Sequence, residues 1–212
     1  MADEQSPSPS TIPLRRAYTF WAPIYDALID SRATRRVRRR SIELLRDWGG
    51  KRVLLVGVGS GLDLPFLPHD GTYTGIDITP AMLERARRRA QRCGCPIRLM
   101  NGNAMRLPFD DSEFDCIVMH LILAVVPDPA RSLCEAARVL RPGGAILILD
   151  KFLRPGQRAP LRRALNVLTR RLATRTDVVF EDTLAQCPGL TLVHDEPAFL
   201  GGWFRHIILR KE

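Results

Sequence analysis

The stretch "VLLVGVGSGLDLPFL" occupies residues 53–67. An apolar run of strand length passes through Gly57, Gly59 and Gly61 and continues into a second apolar-periodic segment. That order reads as a buried strand, a tight turn and the start of a helix. Turns of this kind approach nucleotides closely, because glycine permits backbone conformations and contacts that a side chain would block. Two phosphate-binding versions of the turn fit poorly. The dinucleotide fingerprint G-x-G-x-x-G needs a glycine at position 62, where the chain has Leu62. A P-loop needs Gly-Lys-Ser/Thr, and the chain offers Leu62 and Asp63. The expected ligand therefore carries no pyrophosphate.

Working outward, strand and helix patterns alternate. "KRVLLVG" is followed by "TYTGIDI", then by a helix "TPAMLERARRRAQRC" with Thr79 at its cap and Pro80 in its first turn. Leu83, Ala86 and Ala90 form that helix's buried stripe, with its arginines outward. "PIRLM", "FDCIVMHLILAVV" and "AILILDKFL" supply three more strands, and "DPARSLCEAARVL" is an amphipathic helix stopped by "RPGG". "APLRRALNVLTRRLAT" is a further basic helix, and "DTLAQCPG" a helical turn. The last two strands, "LTLVHDE" and "GWFRHIILRK", have no helix between them and must close the sheet as an antiparallel edge. Alternation over most of the chain predicts a parallel sheet with helices on both faces. Upstream, "SRATRRVRRRSIELLRDWGG" predicts a helix capped by Ser31 and ended by Gly49 and Gly50, with Val37, Leu44, Leu45 and Trp48 inward.

The 212 residues, 45% hydrophobic and 26% charged, suit one domain with a sizeable core. No apolar stretch approaches the length of a membrane span. Residues 1–13, "MADEQSPSPSTIP", lack the basic start and apolar centre of a signal peptide, which predicts a disordered leader and a cytoplasmic protein. In that setting the five cysteines are expected to be reduced, and the lone Cys93-x-Cys95 is a poor metal site, so no metal is expected. The net charge of +9, almost all arginine, implies attraction to something anionic.

Two positions refine the ligand. Asp77 ends the second strand, where a carboxylate can accept both hydroxyl protons of a ribose. A helix-capping role is the plain alternative, but Thr79 stands ready to supply that cap. Asn103 and Ala104 follow the third strand, where a small polar group can face an adenine edge. Ribose and adenine without phosphate describe S-adenosylmethionine. His120 ends the fourth strand and faces the same crevice. It can take a proton from an amine or orient an acceptor, or it can be a satisfied packing histidine.

In "VLLVGVGSG", "GIDITPAML", "GNAMRLPF", "FDCIVMHLILAVVPDP" and "ARVLRPGGAILI", in this order, the chain resembles the class I methyltransferases. The branch is the one that includes quinone C-methyltransferases and bacterial phosphatidylethanolamine N-methyltransferases. The resemblance covers residues 18–210, and "AYTFWAPIYDALID" and "FLGGWFRHIILRK" point to the phospholipid enzymes. It implies a Rossmann-like α/β fold: a mainly parallel seven-stranded sheet with an antiparallel C-terminal edge. It further implies a single domain over residues 14–212 with an N-terminal helical cap at about 14–50, and S-adenosylmethionine as cofactor. Gly57, Gly59, Gly61, Asp77, Ile78, Met82, Asn103, Ala104 and Tyr18 would bind that cofactor, and His120 and Tyr25 would assist catalysis. Two positions depart from the family. Leu55 stands where an acidic residue near the methionine amino group is common, and Asn103 replaces the acid at the adenine edge.

The expected reaction is N-methylation of an amine-bearing lipid, phosphatidylethanolamine first, with a quinone, a thiol or another small hydrophobic acceptor as alternative. Six arginines between positions 32 and 40, and a second cluster from Arg154 to Arg175, can dock anionic lipid headgroups or simply keep the protein soluble. RNA modification is disfavoured, because "MHLILAVV" lacks the Asn/Asp-Pro-Pro-aromatic stretch of amino-directed base methyltransferases. Leu55 alone favours a non-catalytic, cofactor-binding protein.

Overall fold

In the strand β1 (Arg52–Val56), four consecutive residues from Val53 to Val56 are each no more than 1% exposed, so the strand is covered on both sides. The computed structural model describes residues 31–45, 50–153 and 178–212. Two strands pair parallel with β1: β2 (Thr72–Asp77) and β4 (Phe114–His120). Parallel strands β3 (Ile97–Asn101) and β5 (Leu140–Lys151) flank them. The chain closes with β6 (Leu190–Phe199) and β7 (Phe204–Lys211), paired antiparallel to give the order β3-β2-β1-β4-β5-β7-β6. This is the mainly parallel sheet with an antiparallel C-terminal edge that the sequence predicts.

Period-two alternation sends neighbouring side chains to opposite faces. Leu54, Val56, Ile117, Met119, Ile146 and Ile148 pack with helices α3 (Pro129–Val139) and α4 (Phe180–Ala185). Val53, Leu55, Val118 and Leu147 pack on the other face with Ile42 of α1 (Arg32–Glu43) and with Leu83 and Ala90 of α2 (Pro80–Cys93). Strand order reverses between β1 and β4, and in sheets of this type a ligand crevice opens at the carboxyl ends beside such a reversal.

Several local expectations need correction. No α-helix follows the glycine turn: residues Leu64–Phe66 form one 3-10 turn, and Leu67 is already extended. Pro68 explains this, since a residue before proline is pushed out of the helical region. The "RPGG" segment does not separate helix from strand. Helix α3 ends at Val139, and β5 already runs from Leu140 through these residues, with an irregular register against β4. Ser31 does cap α1, accepting the Thr34 N–H at 3.2 Å. The fully buried residues of α1, however, are Arg38, Ser41 and Ile42, while Val37, Leu44 and Leu45 are half-buried. Finally, Cys134 on α3 and Cys187 beyond α4 form a disulfide across 53 residues, which overturns the expectation of five reduced thiols. Packing of α3 on α4 brings the two together, and no spacing motif announces it. Cys93, Cys95 and Cys116 are free thiols.

The leader at 1–13, the segment carrying Tyr18 and Tyr25, Trp48 and the cluster from Arg154 to Arg175 all lie outside the described residues.

Candidate active site

At its carboxyl end β1 runs directly into the glycine turn, which is pinned to the neighbouring strand. Gly57 and Val58 both donate to the Ile76 carbonyl, at 2.9 and 3.0 Å. The three glycines then do different things. A Cβ on Gly57 would lie 2.6 Å from Ile122 Cδ1, so glycine lets the segment after β4 close against the turn. On Gly61 it would lie 3.1 Å from the Ala86 Cα, so glycine there lets α2 approach. On Gly59, with φ +55°, it would meet nothing nearer than 3.9 Å, and Gly59 lines the cleft. That is a cradle that a larger residue would fill.

Asp77 ties this turn to the next element. Its Oδ2 accepts the Gly59 N–H at 2.9 Å and its Oδ1 the Thr79 N–H at 2.8 Å. The Thr79 side chain makes no capping bond, contrary to the expectation, and the Asp77 carboxylate instead holds the Thr79 N–H just before α2. Burial raises the Asp77 carboxyl above its ordinary value, although both backbone donors oppose the rise. The Thr79 side chain opposes the rise as well, and the carboxylate lines the cleft.

Two adjoining cavities meet at Asp77. One is lined by Ile78, Asn103, Ala104, Ile122 and Val126 together with Asp77. Its walls are mostly apolar and suit a flat base. Asn103 Oδ1 accepts the Met105 N–H at 2.9 Å, which bends the loop after β3 and leaves the amide NH2 of Asn103 as the group able to meet a base edge. The other cavity continues past Gly59 and Met82 to Asp63, Arg38 and His120. The structure thus brings Gly57, Gly59, Asp77, Ile78, Met82, Asn103, Ala104 and His120 around one continuous cleft. Gly61 stands behind it, supporting α2.

The far end of the cleft holds a buried polar cluster that sequence reasoning missed. Asp63 Oδ1 accepts from Arg38 Nη1 at 2.8 Å and lies 2.9 Å from His120 Nδ1. His120 Nε2 lies 3.0 Å from Ser41 Oγ. With Nδ1–H donating to the carboxylate, a neutral ring accepts the Ser41 hydroxyl at Nε2, and both nitrogens are engaged. Burial would raise the Asp63 carboxyl, but the Arg38 guanidinium and His120 beside it hold it well below the usual carboxylate range. A signal was present: Asp63 is a lone charge in the apolar run "GLDLPFL", and a buried charge requires a partner. Arg38 gave no such signal within its arginine run.

The loop between β4 and α3 walls both cavities. Asp150, fully buried at the end of β5, anchors that loop by accepting the Ala124 N–H at 3.1 Å, and also accepts the Lys151 N–H at 2.8 Å. Burial pushes the Asp150 carboxyl up to about 6 against these donors.

Comparison with known proteins agrees with this geometry. Residues 54–148 match the methyltransferase domain family. The chain is 38% identical over 192 residues to the phosphatidylethanolamine N-methyltransferase of Cereibacter sphaeroides, covering 89% of this chain and 93% of that protein. It is also 38% identical over 144 residues to the demethylmenaquinone methyltransferase of Tropheryma whipplei, covering 65% and 59%. Among solved structures, a SAM-dependent methyltransferase of Thermotoga maritima superposes with a TM-score of 0.70 at 20% identity, covering 94% of this chain and 100% of that one, a likeness of fold. The polar and apolar lining of this cleft suits S-adenosylmethionine, and the chain belongs to the class I S-adenosylmethionine-dependent methyltransferases.

Proposed function

We propose that the protein methylates the amine of an ethanolamine-type phospholipid at a membrane surface. The observation that carries this reading is the near full-length likeness to a phosphatidylethanolamine N-methyltransferase, which extends well beyond the cofactor-binding core. Exposed charge supports it. Arg35, Arg36, Arg39 and Arg40 are exposed on α1, while Arg38 turns inward to the cleft. Exposed arginines on the helix that borders the cleft suit an anionic lipid surface. No described helix is long and apolar enough to cross a membrane. A quinone acceptor is the second reading, supported by the match to a demethylmenaquinone methyltransferase over 144 residues.

When bound, S-adenosylmethionine supplies a methyl group already activated on a sulfonium. The protein's task is then to hold the acceptor in line and to exclude water. The acceptor amine must be neutral to attack, so a proton must leave it first. In this reading His120 acts as a positioning residue: its two nitrogens seat Ser41 and Asp63, and a base role would first require release of Ser41. Tyr25 remains the proposed group for the acceptor side, by resemblance alone.

The test is transfer of labelled methyl to three acceptors: vesicles of phosphatidylethanolamine with anionic lipid, a demethylmenaquinone and free ethanolamine. Label should enter the vesicle lipid, and transfer should fall with salt as surface charge is screened over about 8 Å. Replacing Arg35, Arg36, Arg39 and Arg40 by Gln should remove vesicle binding and leave cofactor affinity intact. Label entering only the quinone would contradict the phospholipid reading.

A further inference from the structure

A sulfonium cofactor of this kind ends in an amino acid, with an ammonium and a carboxylate that must be received somewhere in the cleft. Leu55, only 1% exposed and packed in the sheet core, contributes no charge. The charged residues lining the cavity that reaches His120 are Arg38, Asp63 and Asp77. Asp77 is shared by both cavities, Asn103 and Ala104 line only the one beside Ile78 and Val126, and Arg38 and Asp63 line only the one that reaches His120. A ligand with its ribose on Asp77 and its base beside Asn103 therefore points its remaining end toward Arg38 and Asp63.

These two side chains are only partly used. Each is 8% exposed, yet their contact spends a single oxygen. Arg38 Nη1 and His120 Nδ1 both go to Asp63 Oδ1, and Oδ2 has no partner among the described residues, nor is it sealed among the buried orphaned atoms. Toward the described residues Arg38 likewise donates only from Nη1. We propose that Asp63 Oδ2 receives the ammonium and the remaining guanidinium N–H groups of Arg38 receive the carboxylate of the cofactor's amino-acid end. This rests on the cofactor being S-adenosylmethionine. It assigns to Asp63, six residues beyond the first glycine of the turn, the charge that Leu55 does not provide.

A consequence concerns α1. That helix is fastened by polar contacts: Arg38 to Asp63, Ser41 to His120, and the Val37 carbonyl to His206 Nε2 at 3.1 Å. Ile42 is its one fully buried apolar residue among those described. A ligand bridging Arg38 and Asp63 adds a further tie between α1 and the cleft.

The experiment compares S-adenosylhomocysteine with 5′-methylthioadenosine, thioethers that differ in the amino-acid end. By calorimetry the unaltered protein should bind the first about 100-fold more tightly, as expected for two charge-assisted contacts. Arg38→Gln and Asp63→Asn should each cut that advantage about tenfold or more and leave 5′-methylthioadenosine binding unchanged, which also shows that the variants fold. Asp77→Ala should weaken both ligands alike. Amide exchange on the unaltered protein needs no variant: S-adenosylhomocysteine should slow exchange in α1, and 5′-methylthioadenosine should not. An advantage that survives in a variant still binding 5′-methylthioadenosine would overturn the proposal, as would equal protection of α1 by both ligands. Failure of the unaltered protein to bind either ligand would instead overturn the cofactor assignment beneath it.

Discussion

At the end of the cleft that faces Asn103, the contacts are local. Asp77 reaches Thr79 two residues away and Gly59 eighteen residues away, and Asn103 bends its own loop onto Met105. At the other end, Asp63, Arg38, His120 and Ser41 meet across separations of 25 to 79 residues. Electrostatics differ in the same way. Burial raises the Asp77 carboxyl above its usual range, whereas Arg38 and His120 hold Asp63 below it. One end is thus a backbone scaffold around a carboxylate that lines the cleft. The other is a fixed charge pair, assembled only when α1 docks.

The largest expected effect breaks the first end without touching the second. Gly59→Val should reduce cofactor binding below detection, because the new side chain enters the cleft and meets no protein atom that could hold it aside. Some stability is lost as well, since a residue with a Cβ at φ +55° costs about 1–2 kcal/mol. Calorimetry beside thermal unfolding separates these, and retained affinity would show that the cofactor does not pass Gly59.

His120→Ala breaks the second end. It leaves the Ser41 hydroxyl unpaired and Asp63 with Arg38 alone, so unfolding free energy should fall by about 2–4 kcal/mol. Turnover and S-adenosylhomocysteine affinity should fall with it, and 5′-methylthioadenosine affinity should hold. A fall in turnover alone, at full stability and cofactor affinity, would make His120 a base and not a positioning residue.

The smallest effect concerns the loop shared by both ends. Asp150 is raised in the fold to about 6. Such a carboxyl contributes stability that is fully present below its unfolded value of about 4 and is lost as pH rises through 6. Asp150→Asn keeps an oxygen acceptor for the Ala124 N–H and stays neutral throughout. Its stability relative to the unaltered protein should therefore improve between pH 4 and 7, by up to about 3 kcal/mol in urea unfolding. A difference that does not change with pH would contradict the burial of a charge at this position.

How much of this was legible in the sequence follows the same division. Strand alternation, the glycine turn and the acid ending β2 depend on neighbours in the chain, so Gly57, Gly59, Asp77 and Asn103 could be placed from pattern alone. The antiparallel edge was legible because no crossover α-helix separates its two strands, only the 3-10 turn Leu200–Gly202. Arg38 was not, because only its phase relative to Ser41 and Ile42, at i, i+3 and i+4, distinguishes it from five neighbouring arginines, and that face is mostly polar. Asp63 was visible as a lone charge in an apolar run, but its partners lie on other elements. The disulfide between Cys134 and Cys187 likewise depends on how α3 and α4 pack.

A crystal structure of the protein with S-adenosylhomocysteine tests the division of the cleft most directly. The ribose hydroxyls should lie within hydrogen-bond distance of the Asp77 carboxylate, the base between Ile78 and Ile122 beside Asn103, and the amino-acid end against Asp63 Oδ2 and Arg38. A ligand bound in the reverse sense, with its base beside Asp63 and its amino-acid end toward Asn103, would contradict the account.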